Sequence, residues 1–198
     1  IDHAFGFGRF HALMKSKNSF IMVDEFSFSS LYDNYKFFKA DSLSIPAKVL
    51  LNCLEKDYIN FKKKLNNLFY AQVSTGYFPT KMRKKLLNNG TNLFVNYGMT
   101  EAMRSTFLDC KKYPKKIHTE GKPFSGALIK IYKKNKKDKI GQIFLKGKHL
   151  ARGYSEAKLW KLNFDGKWFK TTDLGYLDKD NFLIFHGRNN NTININGV

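Results

Sequence analysis

Short apolar runs alternate with segments of helical period through the first half of the chain, and this alternation limits the possible folds more than any other feature. Phe20–Val23 reads as a short strand, and Ser29–Lys39 as a helix with Leu31, Tyr35 and Phe38 on one face. Ser42–Ile45 is a second strand candidate. Pro46 then marks a helix start, followed by Val49, Leu50, Cys53, Leu54, Tyr58 and Phe61 at helical spacing. Leu68–Val73 reads as a strand, Ser74-Thr75-Gly76 as a turn, Pro79 opens a helix to about Asn89, and Leu93–Val95 is again a strand. Strands that alternate with helices build βαβ units around a parallel sheet, and such sheets bind ligands beyond the carboxyl ends of their strands. Ser74–Gly76 and Asn96–Glu101 lie at two such ends and are expected to face one crevice. After Gly121 the texture changes. Ala127–Tyr132, Gln142–Leu145, Phe169–Thr171 and Phe182–Phe185 read as strands linked by Gly and Asp, and Leu177–Phe182 carries a hairpin signal. The expected class is α/β, a parallel βαβ subdomain followed by a small antiparallel, β-barrel-like subdomain.

A chain of 198 residues with 16% aromatics can bury a real core. Its formal charge of +19 raises the question of a nucleic-acid partner. The lysines at 62–64, 84–85, 115–116 and 133–137 are scattered over different segments, so they read as solvated faces of a Lys- and Asn-rich chain and no basic stripe emerges. No nucleic acid is expected. Cys53 and Cys110 are far apart and outside any CxxC spacing, which favours buried free thiols and a reducing, cytoplasmic setting. No apolar run reaches membrane-spanning length. Both ends read as cut: residue 1 lacks an initiator Met, and the chain stops within Asn194–Val198, midway through a strand and turn.

Several familiar motifs fail. Gly6-Phe7-Gly8 lacks the third glycine and the preceding strand of a dinucleotide fingerprint. The stretch from Gly141 to Gly147-Lys148 is too long for a phosphate loop, and His149 replaces its Ser/Thr. The histidines have no metal-ligand spacing, and no nucleophile elbow is visible. The loop Asn96-Tyr97-Gly98-Met99-Thr100-Glu101 is richer. Tyr97 offers a flat face to an adenine ring, Gly98 permits close backbone approach, the Thr100 hydroxyl can bond a phosphate oxygen, and Glu101 can hold Mg²⁺. The competing reading is a strand-to-helix turn with Thr100 as its N-cap. Asp173, in an expected turn between apolar strands, can accept two ribose hydroxyls or be an ordinary turn Asp. Arg188 can pair with ribose or phosphate or be a surface residue.

Taken in order, these segments resemble the AMP-forming acyl-CoA synthetase family of the adenylate-forming superfamily. His3-Ala4-Phe5-Gly6 resembles the family's His-x-Phe-Gly at the acyl pocket, and Ser74–Pro79 its Ser-Gly-Gly-Ala-Pro loop beside adenine. Asn96–Ala102 is similar to Tyr-Gly-x-Thr-Glu. Gly121-Lys122-Pro123 with Gly126 resembles Gly-x-Pro-x-x-Gly, and Gly141-Gln142-Ile143, Gly147 and Gly153-Tyr154 follow the next strand pair. Trp168–Gly175 resembles Trp-Phe-x-Thr-Gly-Asp-Leu-Gly, and Gly187-Arg188 opens the hinge motif.

The resemblance implies a mechanism: ATP and a carboxylic acid give an acyl-adenylate and pyrophosphate, and a thiol, coenzyme A or a carrier protein, then takes the acyl group. It assigns Thr100 and Glu101 to catalysis, with Glu101 on the metal. It places Gly76, Tyr77, Phe78, Asn96, Tyr97, Gly98, Met99, Thr100, Asp173 and Arg188 around the nucleotide, and His3, Phe5 and Gly6 at the acid. It divides the chain into an α/β part (1–118), a β-rich part (119–188) and a hinge (189–198) leading to a further C-terminal domain. The family's phosphate loop is expected before residue 1 and its adenylating Lys after residue 198, so the 198 residues alone are expected not to form an adenylate. Thr172 stands where the family has Gly, Gln142 where Glu is common, and Asn190 where the hinge often has Asp. The competing classes are a carrier-loading adenylation domain, a nucleotide binder without catalysis, and a basic nucleic-acid-binding domain.

Overall fold

The computed structural model describes residues 4–23, 28–56, 70–74 and 76–189. They form two compact units. Residues 4–95 and 109–117 belong to the first, and 96–108 and 118–189 to the second.

The first unit is built on three parallel strands, β1 (Ser42–Pro46), β2 (Tyr70–Ser74) and β3 (Asn92–Val95). Ser42 pairs with Tyr70, and Tyr70 with Asn92. Ala71, Val73 and Leu93 are fully buried, as expected for strands covered on both faces. Helix α1 spans Ala4–Ser16, α2 Phe28–Phe37, α3 Ala47–Lys56 and α4 Thr80–Asn88. In α3, Ala47, Leu50, Cys53 and Leu54 share one buried face at helical spacing. Pro46 ends β1 and α3 follows at once, while Pro79 is the N-cap of α4. Arg83 of α4 is 1% exposed. Its guanidinium is satisfied by backbone oxygens, Nε donating to Phe78 at 2.7 Å and an Nη to Ile117 at 3.1 Å.

The second unit is antiparallel. Strands β6 (Ala127–Tyr132), β7 (Gly141–Gly147), β9 (Trp168–Leu177) and β10 (Leu183–Arg188) run in the order β10-β9-β7-β6, and the short β8 (Phe164–Asp165) pairs with β9. Thr106 of β4 (Thr106–Asp109) pairs antiparallel with Pro123 of β5 (Lys122–Pro123). A helix, α5 (Ala157–Leu162), precedes β8. The β9–β10 hairpin turns on Asp178, whose Oδ1 accepts from the amides of Asp180 and Phe182, each at 2.9 Å. The core gathers Tyr97, Ala102, Ile143, Leu145 and Leu183.

The fold class expected from the sequence is therefore present, parallel βαβ first and antiparallel after. Three local expectations differ. Phe20–Val23 forms no strand, and Phe20, Ile21 and Met22 are exposed. Asp173 lies inside β9 and not in a turn. Thr100 caps no helix, because residues 100–102 form a turn that leads on to β4. The segment from Ala4, to which the sequence reading assigned no element, is helical. Tyr58, Phe61, His3, Thr75 and the expected hinge residues from 190 onward lie outside the described residues.

Candidate functional site

The second unit brings the Asn96–Arg104 loop together with the paired ends of β9 and β10. A bulge sets the geometry. Phe185 pairs with Gly175, but Gly187 pairs with Leu174, so His186 is the extra residue and Arg188 falls opposite Asp173. Without the bulge Arg188 would face Thr172 instead. Gly187, at φ 148°, supplies the backbone this kink needs.

Asp173 is the centre of the cluster, with its side chain 3% exposed. Arg188 Nε donates to Oδ1 at 3.0 Å, and the Tyr97 hydroxyl donates to Oδ2 at 2.7 Å. The Asp173 amide donates to Thr171 Oγ1 at 3.0 Å, and that hydroxyl donates to the Ile143 carbonyl at 2.7 Å. Burial pushes the Asp173 carboxyl above its usual value, against the Tyr97 donor and the Arg188 charge, which stabilise the ionised form. Burial, reinforced by Asp173, pushes the Tyr97 phenol well above its usual value, so it stays a proton donor. Thr172, where the resembled motif has Gly, is exposed and lies in ordinary strand backbone, its carbonyl accepting from Asn189 N at 2.8 Å.

Tyr97 is 7% exposed, with its ring in the core cluster and tilted 34° to Phe185. Its amide donates to Thr106 Oγ1 at 3.0 Å, and its carbonyl accepts from Ser105 N at 2.8 Å. The loop between is tight. A Cβ on Gly98 would sit 1.8 Å from the Met103 carbonyl oxygen, so glycine is required there by contact. Met99 packs against the core cluster, Asn96 is buried, and Thr100 is exposed. Glu101 is half-buried. Its carbonyl accepts from Ala151 N at 2.7 Å, and its carboxylate Oε1 accepts from the Tyr154 hydroxyl.

The structure thus joins Tyr97, Asp173 and Arg188 directly and sets Thr100 and Glu101 on the same loop as Tyr97. Gly76, Tyr77 and Phe78 belong to the first unit. Gly76 has φ 118°, Tyr77 is 66% exposed and Phe78 is fully buried. Phe5 and Gly6 lie in α1, half-buried. Sequence reasoning gave no role to Thr171, His149 or Tyr154, which hold these groups. Among the described residues no group of three or more His, Cys, Asp or Glu stands together as a ready-made ion cage, and no helix is long and apolar enough to cross a membrane.

No protein-family profile matches the chain. Curated relatives do. The 2-succinylbenzoate–CoA ligase of Lactococcus lactis subsp. lactis (strain IL1403) is 27% identical over 192 residues, 96% of this chain and 40% of the relative. That of Oceanobacillus iheyensis is 31% identical over 140 residues, 66% of this chain and 29% of the relative. The chain therefore spans less than half the length of these curated relatives. Among solved structures, o-succinylbenzoate CoA synthetase from Bacillus subtilis with a product analogue superposes at a TM-score of 0.85, with 23% identity over 99% of this chain and 41% of the other. The same synthetase with ATP and magnesium superposes at 0.80, with 22% identity over 96% and 40%. These superpositions establish the shared fold. With the ordered motifs and the homology to CoA ligases, they lead to one conclusion: the chain belongs to the adenylate-forming superfamily of AMP-forming acyl-CoA synthetases.

Proposed function

We propose that this chain supplies nucleotide-binding residues to an enzyme that activates a carboxylic acid with ATP and passes the acyl group to a thiol, coenzyme A being the favoured acceptor. One observation carries the reading: a buried carboxylate, Asp173, is held by Tyr97 and Arg188 in the unit that also presents Thr100 and Glu101. A carboxylate has about four acceptor sites. Asp173 keeps two for a ribose diol, and Arg188, its side chain 35% exposed, is the partner able to swing aside to admit one. The role this geometry supports for Tyr97 is to orient Asp173. Thr100 offers an exposed hydroxyl to a phosphate oxygen, and nucleotide-binding roles for Asn96, Gly98 and Met99 are supported by the resemblance. The roles of Gly76, Tyr77, Phe78, His3, Phe5 and Gly6 rest on resemblance alone.

Glu101 fits a magnesium role. Mg²⁺ takes one or two carboxylates and completes its shell with phosphate oxygens and water, so a single half-exposed carboxylate suffices where the protein builds no cage. When bound, the ion neutralises charge on the phosphates. In the reaction proposed, a carboxylate oxygen of the acid bonds to the α-phosphorus and pyrophosphate leaves. The thiol then bonds to the acyl carbon and AMP leaves. A carrier-protein thiol would serve the second step equally, and two buried free cysteines suit a cytoplasmic setting.

The test is ATP–pyrophosphate exchange by the full-length protein across a panel of carboxylic acids that includes 2-succinylbenzoate. Asp173→Ala is expected to raise KM for ATP about tenfold, the worth of one charged hydrogen bond. Glu101→Gln is expected to lower kcat about 10²-fold. Unchanged kinetics in both variants, or no exchange with any acid, would sink the reading.

A further inference from the structure

The loop after β7 grips the Glu101 loop at three points. His149 Nε2 and Ser105 Oγ are 3.2 Å apart, the Ala151 amide donates to the Glu101 carbonyl at 2.7 Å, and the Tyr154 hydroxyl donates to Glu101 Oε1. The first ties the Ser105 side chain, just before β4, and the second holds the backbone of the turn. The third alone fixes the carboxylate. Without it the last torsion of a Glu side chain is broad and roughly two-fold, so the group would sweep many orientations.

Tyr154 is itself braced. Its ring meets Trp160 of α5 edge-on, at 5.0 Å and 90°. Trp160 stacks on Phe169, at 5.3 Å and 27°, and Phe169 is 3% exposed in β9. Trp160 also touches Phe164 at 5.2 Å. A line of aromatic contacts therefore runs from the strand that carries Asp173 to the oxygen of Glu101. Burial, then the hydrogen bond to Glu101 and its charge, push the Tyr154 phenol above its usual value. Near neutral pH it is a donor. Glu101 Oε2 has no hydrogen-bond partner among the described residues.

We infer that Tyr154 is a positioning residue: it locks Glu101 through Oε1 and leaves Oε2 aimed at a hard cation carried by a nucleotide. The inference rests on the function proposed above and extends it to a residue argued to act through Glu101. The reason is mechanical. A carboxylate held in one orientation before the cation arrives loses less freedom on binding it, and outer partners of metal-holding groups typically govern about 10- to 100-fold of affinity.

The experiment uses the full-length protein and Mn²⁺ with ATP, free Mn²⁺ being read by electron paramagnetic resonance. Tyr154→Phe keeps the ring against Trp160 and removes only the hydroxyl. It is expected to weaken Mn²⁺ retention about tenfold, to raise the Mg²⁺ concentration for half-maximal pyrophosphate exchange by a similar factor, and to leave KM for the acid unchanged. In the Glu101→Gln background the same change is expected to have no further effect on Mn²⁺ retention. Unaltered Mn²⁺ retention in Tyr154→Phe, with Glu101→Gln impaired, overturns this inference and leaves the proposed function standing. An additive loss in the double variant also overturns it. Wild-type Mn²⁺ retention in both single variants removes Glu101 from the metal, and the functional reading loses that assignment too.

Discussion

Asp173 is costly to bury and is tolerated because each oxygen has a donor. The two donors differ. Arg188 brings charge from a partly exposed position, whereas Tyr97 brings a neutral hydroxyl from inside the core. Tyr97→Phe keeps the ring in the cluster and strips one oxygen of its partner. It is expected to cost about 1–3 kcal/mol, because the carboxylate remains buried with one donor fewer. Thermal unfolding would show it as a drop of about 2–4 °C per kcal/mol. An unchanged midpoint would mean that Asp173 does not depend on this bond. None of this was legible from Tyr97 as a sequence position, where an aromatic after a strand reads as an open face. Asp173 likewise reads as a polar turn residue at the end of a strand. It lies within the strand because Thr171 and Asp173 are satisfied inside the sheet, and only the register reveals that.

At the scale of elements, the two loops that meet at Glu101 are joined by a titratable tie. His149 sits between Ser105 and Phe124, its ring edge-on to the phenyl at 5.1 Å, and its buried Nδ1 has no partner among the described residues. Burial lowers its imidazole below the ordinary value of about 6.5, so the unfolded chain takes up this proton more readily than the folded one. The stability it lends is fully present above about pH 6.5 and is lost as pH falls through the lower folded value. His149→Gln is expected to flatten the decline of the urea midpoint between about pH 6.5 and 5. Parallel declines in the two proteins would contradict this. The strands on either side were readable in the sequence as apolar runs with Gly between them. The meeting of His149 with Ser105 was not, because it depends on how two irregular loops stack. Helix α1 was hidden for another reason: Gly6 and Gly8 in its interior argue against a helix by propensity, and packing overrides them. Phe20–Val23 had a strand's composition, but it is exposed in the folded chain and joins no sheet.

For the molecule as a whole, the alternation of short apolar runs with helical segments was enough to foresee a parallel half, and the hairpin-linked runs after Gly121 an antiparallel one, although buried β2 also carries Gln72 and Ser74. The charge was a poorer guide. Lys133–Lys137 lie fully on the surface as solvated side chains, in keeping with a dispersed positive charge. The thiols give a test of global integrity. Cys53 is 6% exposed and Cys110 not at all. Neither is expected to react with a thiol reagent in the native protein within minutes, and both are expected to react in denaturant. Prompt labelling of either in buffer would mean that its surroundings open without global unfolding. The hydroxyl of Tyr97 finds Asp173 across 76 positions of the chain. On the ribosome, the corner that holds this carboxylate cannot be assembled until synthesis has passed Arg188, so Tyr97 leaves the ribosome before the group it will hold has been made.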